Sequence, residues 1–254
     1  MKTFLTYEKP LLTTILQCRT PETAKYRIEK ALELGTDAFG LQTENLLPEY
    51  RNEEAVRDLF AAMGGKPVYA TRYRPDKSSD AEDESLGVAI EKLADWGATL
   101  CDVMGDLYCK HPDELTMDEK AVKKQRELID KLHAKGAEVL ISSHLYRYAP
   151  AERILEMGLE QEKRGADVVK IVTKAETTEQ LLDNLRAITL LKENLKVPFL
   201  MLSSGPKGNL TRRIGPNLGC CMYLCVYEHD EISTKAQPLL EKLLPIRDNM
   251  EWYL

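Results

Sequence analysis

A single (β/α)8 barrel over residues 1–254 is the fold this sequence predicts, and three observations predict it. Short β-rich runs and helical patterns alternate in one series rather than falling into two blocks. Eight such units in 254 residues average about 32 residues each, the size of a typical barrel of about 250 residues. Glycines suited to left-handed helix caps recur just before the strands.

The strands are expected at 11–16, 38–42, 67–73, 100–104, 138–142, 168–172, 198–202 and 220–227. Thr20 before Pro21 supplies an N-cap and a pre-set first turn, after which Ala24, Ile28, Ala31 and Leu32 share one helical face. Thr177 with Gln180 forms a capping box ahead of Leu181, Leu185 and Ile188. Gly35, Gly64, Gly97, Gly136 and Gly165 end helices. The competing fold, an open doubly wound sheet, usually places a glycine-rich turn after its first strand, and LQCRTPET has none.

Composition narrows the partners. A net charge of −6 with no basic block offers no footprint for nucleic acid. No apolar run reaches the roughly 18 residues of a membrane span, and the start MKTFLTYEKP is too short for a secretory signal, so a cytoplasmic location is expected. Six cysteines without a CxxC pair read as reduced core thiols. No HExxH or His/Cys cluster has metal-ligand spacing, so no metal is expected. A small-molecule partner remains.

In a barrel the working side chains lie at the C-terminal strand ends and point inward at alternate positions. That filter selects Lys170, a lone ammonium in the apolar strand GADVVKIV. Desolvation favours the neutral amine, the nucleophile that forms a Schiff base with a ketone or aldehyde; a strand-end lysine reaching solvent is the structural alternative. His144, just past strand five in VLISSHLY, is placed to move protons beside it. His111, His133 and His229 lie in polar surroundings and are expected to be solvated. Arg212, beyond strand seven in NLTRRIG, can bind a carboxylate with both arms. Ser233 and Gln237 follow strand eight, where Ser233 can cap the last helix, contact a ligand, or both. The loop SSGPKGN at 203–209 is either a phosphate cradle or an ordinary turn. Trp252 and Tyr253 anchor the chain end on the barrel or on another subunit.

These residues, in this order, resemble the type I 3-dehydroquinate dehydratase family of Schiff-base enzymes. The resemblance runs from TTILQCRTPE to about Leu243 and is most specific at SSH (142–144), GADVVKIV, the Gly205, Gly208, Thr211, Arg212 series, and Ser233 with Gln237. It implies that Lys170 forms the imine and that His144 removes the neighbouring proton. It further implies that Arg212 holds the substrate carboxylate, that Ser233 and Gln237 sit on a closing loop, and that Asp102 is the fourth-strand aspartate. No cofactor is implied, and a homodimer is.

The same resemblance exposes departures. Gly40 and Gln42 stand where the family carries a glutamate and an arginine on strand two, with Glu44 at the last acid of that motif. Strand three keeps Thr71 but has Tyr73 at an arginine and lacks the following EGG; Arg72 and Arg74 flank that place and are aimed away by alternation unless a bulge intervenes. Met104 replaces a glutamate, with Asp106 nearby, and Lys235 and Ala236 replace proline-glycine. The chemical centre is kept while the part that reads ring hydroxyls is rewritten. The expected activity is therefore dehydration of a cyclic hydroxy-keto acid. Another Schiff-base lyase, a class I aldolase or a non-catalytic ligand-binding relative are the alternatives.

Overall fold

Strand and helix alternate throughout the computed structural model, which describes residues 3–7, 9–74 and 83–250. In chain order the elements are β1 (Leu11–Leu16), α1 (Pro21–Leu34), β2 (Ala38–Gln42), α2 (Glu53–Ala62), β3 (Val68–Thr71), α3 (Asp83–Trp96), β4 (Leu100–Met104) and α4 (Glu119–Ala134). They continue as β5 (Glu138–His144), α5 (Ala151–Lys163), β6 (Val168–Lys174), α6 (Thr178–Asn194), β7 (Phe199–Ser204), α7 (Thr211–Ile214), β8 (Met222–Cys225) and α8 (Leu240–Asp248). The eight strands form one sheet in the order β7-β6-β5-β4-β3-β2-β1-β8 with parallel pairing throughout. Its two edges meet where the Cys221 amide donates to the Phe199 carbonyl at 2.9 Å, just before β8. The sheet is thereby nearly closed, and with its outer helices it is a TIM barrel.

Local chemistry accounts for the punctuation. Thr20 caps α1 by accepting from the Thr23 amide at 3.4 Å, and Thr177 caps α6 by accepting from the Gln180 amide at 3.3 Å. The reciprocal arm from Gln180 accepts from the Glu176 amide, one residue earlier than in a regular capping box. All five predicted cap glycines have positive φ, from 64° at Gly64 to 116° at Gly97.

The strand ends differ from the expected ones in a consistent way. β5 and β6 each run two residues further: β5 pairs with β6 as far as His144↔Val172, so His144 is its last residue, and β6 pairs with β7 as far as Lys174↔Ser204. Strand three stops at Thr71 and strand eight spans only four residues, since the segments beyond them turn across the barrel mouth. Inward positions alternate as the pleat requires: Ile15, Gln42, Met104, His144, Lys170, Leu202 and Leu224 all face one cavity at the C-terminal end. Cys18, Cys101, Cys220, Cys221 and Cys225 are buried and Cys109 half-buried, with no disulfide among them. Burial pushes the Cys101 and Cys225 thiols up to about 12. Among the described residues no helix is long and apolar enough to cross a membrane. Trp252 and Tyr253 lie outside the described residues, as does the stretch 75–82 where the EGG motif is missing.

Candidate active site

The C-terminal mouth encloses a cavity of about 530 Å³. Lys170 reaches it from β6 and is only 3% exposed. Its amine does not lie in the apolar hollow that its strand suggested. Nζ is 2.8 Å from Tyr69 Oη, 2.7 Å from Tyr73 Oη and 3.3 Å from Asp102 Oδ2. Asp102, on β4, collects the donors around it: the Tyr69 hydroxyl, the Tyr73 hydroxyl at 2.5 Å, and Ser142 Oγ at 2.6 Å on its other oxygen. Burial, reinforced by Asp102, raises both tyrosines well above their ordinary value of 10, so both phenols remain donors.

His144 stands on the neighbouring strand with its ring edge-on to Tyr73, centroids 5.2 Å apart at 81°. Its Nδ1 and its backbone amide each lie 2.8 Å from Glu114 Oε2. An ionised carboxylate only accepts, so Nδ1 carries the proton and Nε2 is the nitrogen left for a ligand. Glu114 arrives from the β4–α4 loop with φ of 46°, a left-handed conformation uncommon for a residue with a side chain. Gly105 makes that approach possible: a Cβ there would stand 2.6 Å from the Glu114 carbonyl oxygen.

Arg212, from α7, is 5% exposed and donates through Nε to the Ser203 carbonyl at 2.8 Å. No carboxylate among the described residues pairs with it, and burial lowers it from 12.5 to about 10. Gln237 also lines the cavity, and its buried Oε1 lacks a protein partner. An unneutralised guanidinium and an unfilled acceptor facing one space suit a ligand bearing both a carboxylate and a hydroxyl.

The remaining predicted residues divide. Gln42 lines the cavity but accepts from Gln17 Nε2 at 2.8 Å and from Asn45 Nδ2 at 3.2 Å. Glu44 lines it too, with Thr71 Oγ1 at 2.9 Å and the Tyr73 amide at 3.4 Å on its carboxylate; Thr71 itself lies behind Glu44. Burial raises the Glu44 carboxyl above its usual range. Arg74 reaches the mouth, where Asp83 and Asp106 hold its guanidinium at 2.7 and 2.8 Å; Asp106 is thereby engaged as well.

Three expectations need correction. Arg74, expected to be aimed away, reaches the mouth, while Arg72 borders a separate recess with Thr43, Arg51 and Trp96; β3 ends at Thr71, so the strand pleat sets the direction of neither. Ser233 does not cap the last helix: it closes a turn with Asp230, accepting from its amide at 2.8 Å, while α8 starts after Leu239. His111 is not simply solvated; it borders the cavity and accepts at Nδ1 from the Asp113 amide. In the loop 203–209 the Lys207 amide donates to the Ala175 carbonyl just after β6 and the Gly208 amide to the Gly205 carbonyl, so those two donors are already engaged.

Sequence reasoning passed over Tyr69, Tyr73, Glu114 and Gln17. Tyr73 counted only as a lost arginine, although a strand-end tyrosine beside an inward lysine is a usable signal. Gly40 is the other half of that exchange. A Cβ at Gly40 would lie 2.3 Å from Ile15 Cδ1 and 3.1 Å from Tyr69 Cδ1, so aromatic and aliphatic groups occupy the space a longer side chain would need.

Comparison with known proteins bears on the family and the fold. A relative from Alkaliphilus oremlandii named 3-dehydroquinate dehydratase is 38% identical over 94 residues, covering 36% of this chain and 37% of that one. One from Syntrophotalea carbinolica with the same name is 28% identical over 175 residues, 67% of this chain and 64% of the other. The aligned stretches thus span about a third and just under two thirds of those two relatives. One from Shouchella clausii, again so named, is 23% identical over 93% of this chain and 84% of its own. Among solved structures, the 3-dehydroquinate dehydratase of Geobacillus kaustophilus superposes with a TM-score of 0.80 at 16% identity, covering 95% of this chain and 91% of that one. A type I 3-dehydroquinate dehydratase from Clostridium difficile carrying covalently modified comenic acid also gives 0.80, at 14% identity over 96% and 93%. Both structures support the fold. Residues 13–246 match the family described as Type I 3-dehydroquinase, and this chain belongs to it.

Proposed function

We propose that the protein is a Schiff-base dehydratase that converts 3-dehydroquinate, a cyclic β-hydroxy ketone carboxylate, to 3-dehydroshikimate. One observation carries this reading: the Lys170 amine lines a closed-in cavity shared with the His144 imidazole and the unneutralised Arg212 guanidinium. In this scheme Arg212 holds the substrate carboxylate while Lys170 adds to the ketone and water leaves, giving an iminium. The iminium withdraws electrons more strongly than the ketone, so His144 Nε2 can take a proton from the adjacent carbon. The resulting enamine expels the β-hydroxyl, which leaves as water with the proton His144 returns. Hydrolysis of the product iminium frees Lys170. The net change is loss of one water from the substrate, and the protein groups end as they began.

Borohydride added during turnover of 3-dehydroquinate is expected to fix an adduct on the Lys170 peptide, read by mass spectrometry. A protein that neither dehydrates 3-dehydroquinate nor is trapped by it overturns the reading.

A second reading is favoured by the engaged state of the wall formed by strands two to four. Gln42, Glu44 and Arg74 already have protein partners, and Gly40 and Met104 offer no polar side chain. A site that pairs with substrate hydroxyls can discriminate by about 10⁴ or more. That wall suits a keto acid with fewer hydroxyls, handled by the same lysine as a lyase or aldolase substrate. Trapping across a panel of cyclic and open-chain keto acids separates the two readings.

A further inference from the structure

We propose that Asp102 and Tyr73 form a proton relay for imine formation at Lys170: Asp102 takes the proton the ammonium must lose, and Tyr73 returns it to the hydroxyl that must leave. The inference rests on the Schiff-base reading of Lys170 and adds to it the groups that move the protons of its first step.

The geometry supplies each part. A lysine ammonium has three N–H donors, and Nζ here has three acceptors: Tyr69 Oη, Tyr73 Oη and Asp102 Oδ2. No addition to a carbonyl can begin until one of those protons leaves. Asp102 Oδ2 is the carboxylate in contact with Nζ. Asp102 does not line the cavity, however, whereas both phenols do. Once a carbonyl carbon is bonded to Nζ, the new hydroxyl is two bonds from the nitrogen and on the cavity side. A group that reaches it must contact Nζ, face the cavity and connect to Asp102. Tyr73 meets all three conditions and also packs on His144. Tyr69 shares the contacts but is 1% exposed and sits on β3 itself, deeper in the barrel.

The steps balance. The ammonium transfers a proton to Asp102, leaving a neutral amine and a carboxylic acid. The amine adds to the carbonyl, and after proton redistribution the adduct is a carbinolamine with a neutral hydroxyl. Asp102 passes its proton to the Tyr73 oxygen as Tyr73 gives its own to that hydroxyl. The carbon–oxygen bond breaks, water departs, the nitrogen lone pair forms the C=N bond, and the product is a protonated iminium beside an ionised Asp102. No proton comes from solvent. The Tyr73 oxygen gains the Asp102 proton as it gives up its own, so no phenolate is formed.

The test uses the full chain, wild type and Tyr73→Phe, with glyoxylate and separately with 3-dehydroquinate, each reduced by cyanoborohydride and read at the Lys170 peptide. Phe keeps the ring against His144, and far-UV circular dichroism checks the fold. At saturating glyoxylate, Tyr73→Phe is expected to trap about 10²-fold or more slowly, in the range of about 10²–10⁴ for a proton-transfer group. Its rate is also expected to rise as pH falls, since the proton must then come from solvent; a merely structural loss would not introduce that dependence. Tyr69→Phe is expected to change the rate less. A Tyr73→Phe protein that traps at the wild-type rate overturns the relay while leaving the imine intact. Wild type that traps glyoxylate but not 3-dehydroquinate removes the substrate assignment and leaves the relay to be judged on glyoxylate. Wild type that traps neither at Lys170 overturns both.

Discussion

One oxygen of Glu114 accepts from both the backbone amide and Nδ1 of His144, each at 2.8 Å. The double contact fixes the ring's position along β5 and its tautomer together. Replacing Glu114 by Ala removes both bonds and lets the imidazole rotate. The variant is expected to fold and to lose about tenfold to hundredfold in kcat with little change in KM, less than the ~10²–10⁴ attributable to the proton-transfer group itself. Steady-state kinetics check this; an unchanged kcat would mean His144 needs no such support.

Gly105 sets where that carboxylate can be. With the Glu114 carbonyl 2.6 Å from the place of a Cβ, Gly105→Ala must displace backbone rather than a flexible side-chain end. The loop is also tied by Thr116 N to the Gly105 carbonyl at 3.2 Å and by Ser143 Oγ to the Glu114 carbonyl at 2.8 Å. Overpacking of this kind costs about 1–3 kcal/mol. Urea denaturation should show that loss, and kcat should fall alongside it as Glu114 moves from His144. A variant equally stable and equally active would contradict the account.

The fold was legible because its signals are local. A cap threonine, a glycine past the last turn and a change of hydrophobic period each report on a few neighbouring residues, and eight repeats of that grammar admit few architectures. Lys170, His144 and Arg212 were legible for a related reason: Lys170 is a lone charge inside an apolar strand, His144 ends its strand, and Arg212 follows β7 in a short motif of its own. Glu114 was not, since nothing in HPDEL reveals that a glycine nine residues earlier lets the loop fold back onto β5. Tyr73 was hidden differently. It sits past the end of β3, where alternation no longer dictates direction, and the same break explains why Arg74 reaches the mouth while Arg72 borders another recess. Ser233 failed because the expected cap presumes a helix start that lies six residues further on, after Leu239.

Arg212 makes opposite demands on stability and on binding. Its burial without an acidic partner lowers its pKa from 12.5 to about 10, and each unit corresponds to about 1.4 kcal/mol. The ligand-free protein therefore carries a penalty of up to about 3.5 kcal/mol at neutral pH, where the group is charged both folded and unfolded. As pH rises from about 10 towards 12.5 the folded form has lost its proton while the unfolded form keeps it, so the penalty lifts. Arg212→Met is expected to raise the thermal midpoint of the ligand-free protein. It should also weaken carboxylate binding by the ~1.5–3 kcal/mol of a charged hydrogen bond, which is about 10- to 150-fold in Kd. Calorimetry of the two proteins with and without a bound keto acid tests both halves. A lower midpoint without ligand would show that the Ser203 contact outweighs the desolvation.

Glu44 gives the mouth an acid-side dependence of the opposite sign from a salt-bridged carboxylate. Burial, the largest influence on it, raises its pKa above the usual 4.5 despite bonds from Thr71 and the Tyr73 amide. Above pH 4.5 the unfolded chain releases this proton first while the folded protein still holds it. Stability contributed by Glu44 is therefore complete below pH 4.5 and falls as pH rises through the folded value. Glu44→Gln retains an acceptor for Thr71 and cannot ionise, so urea midpoints measured upward from pH 4.5 should decline less in the variant than in wild type. Because Gln cannot carry the charge, the variant should also bind a keto acid with less pH dependence over that interval. Parallel curves for the two proteins would place the carboxylate in a more solvated setting than its neighbours Thr71 and Tyr73 imply.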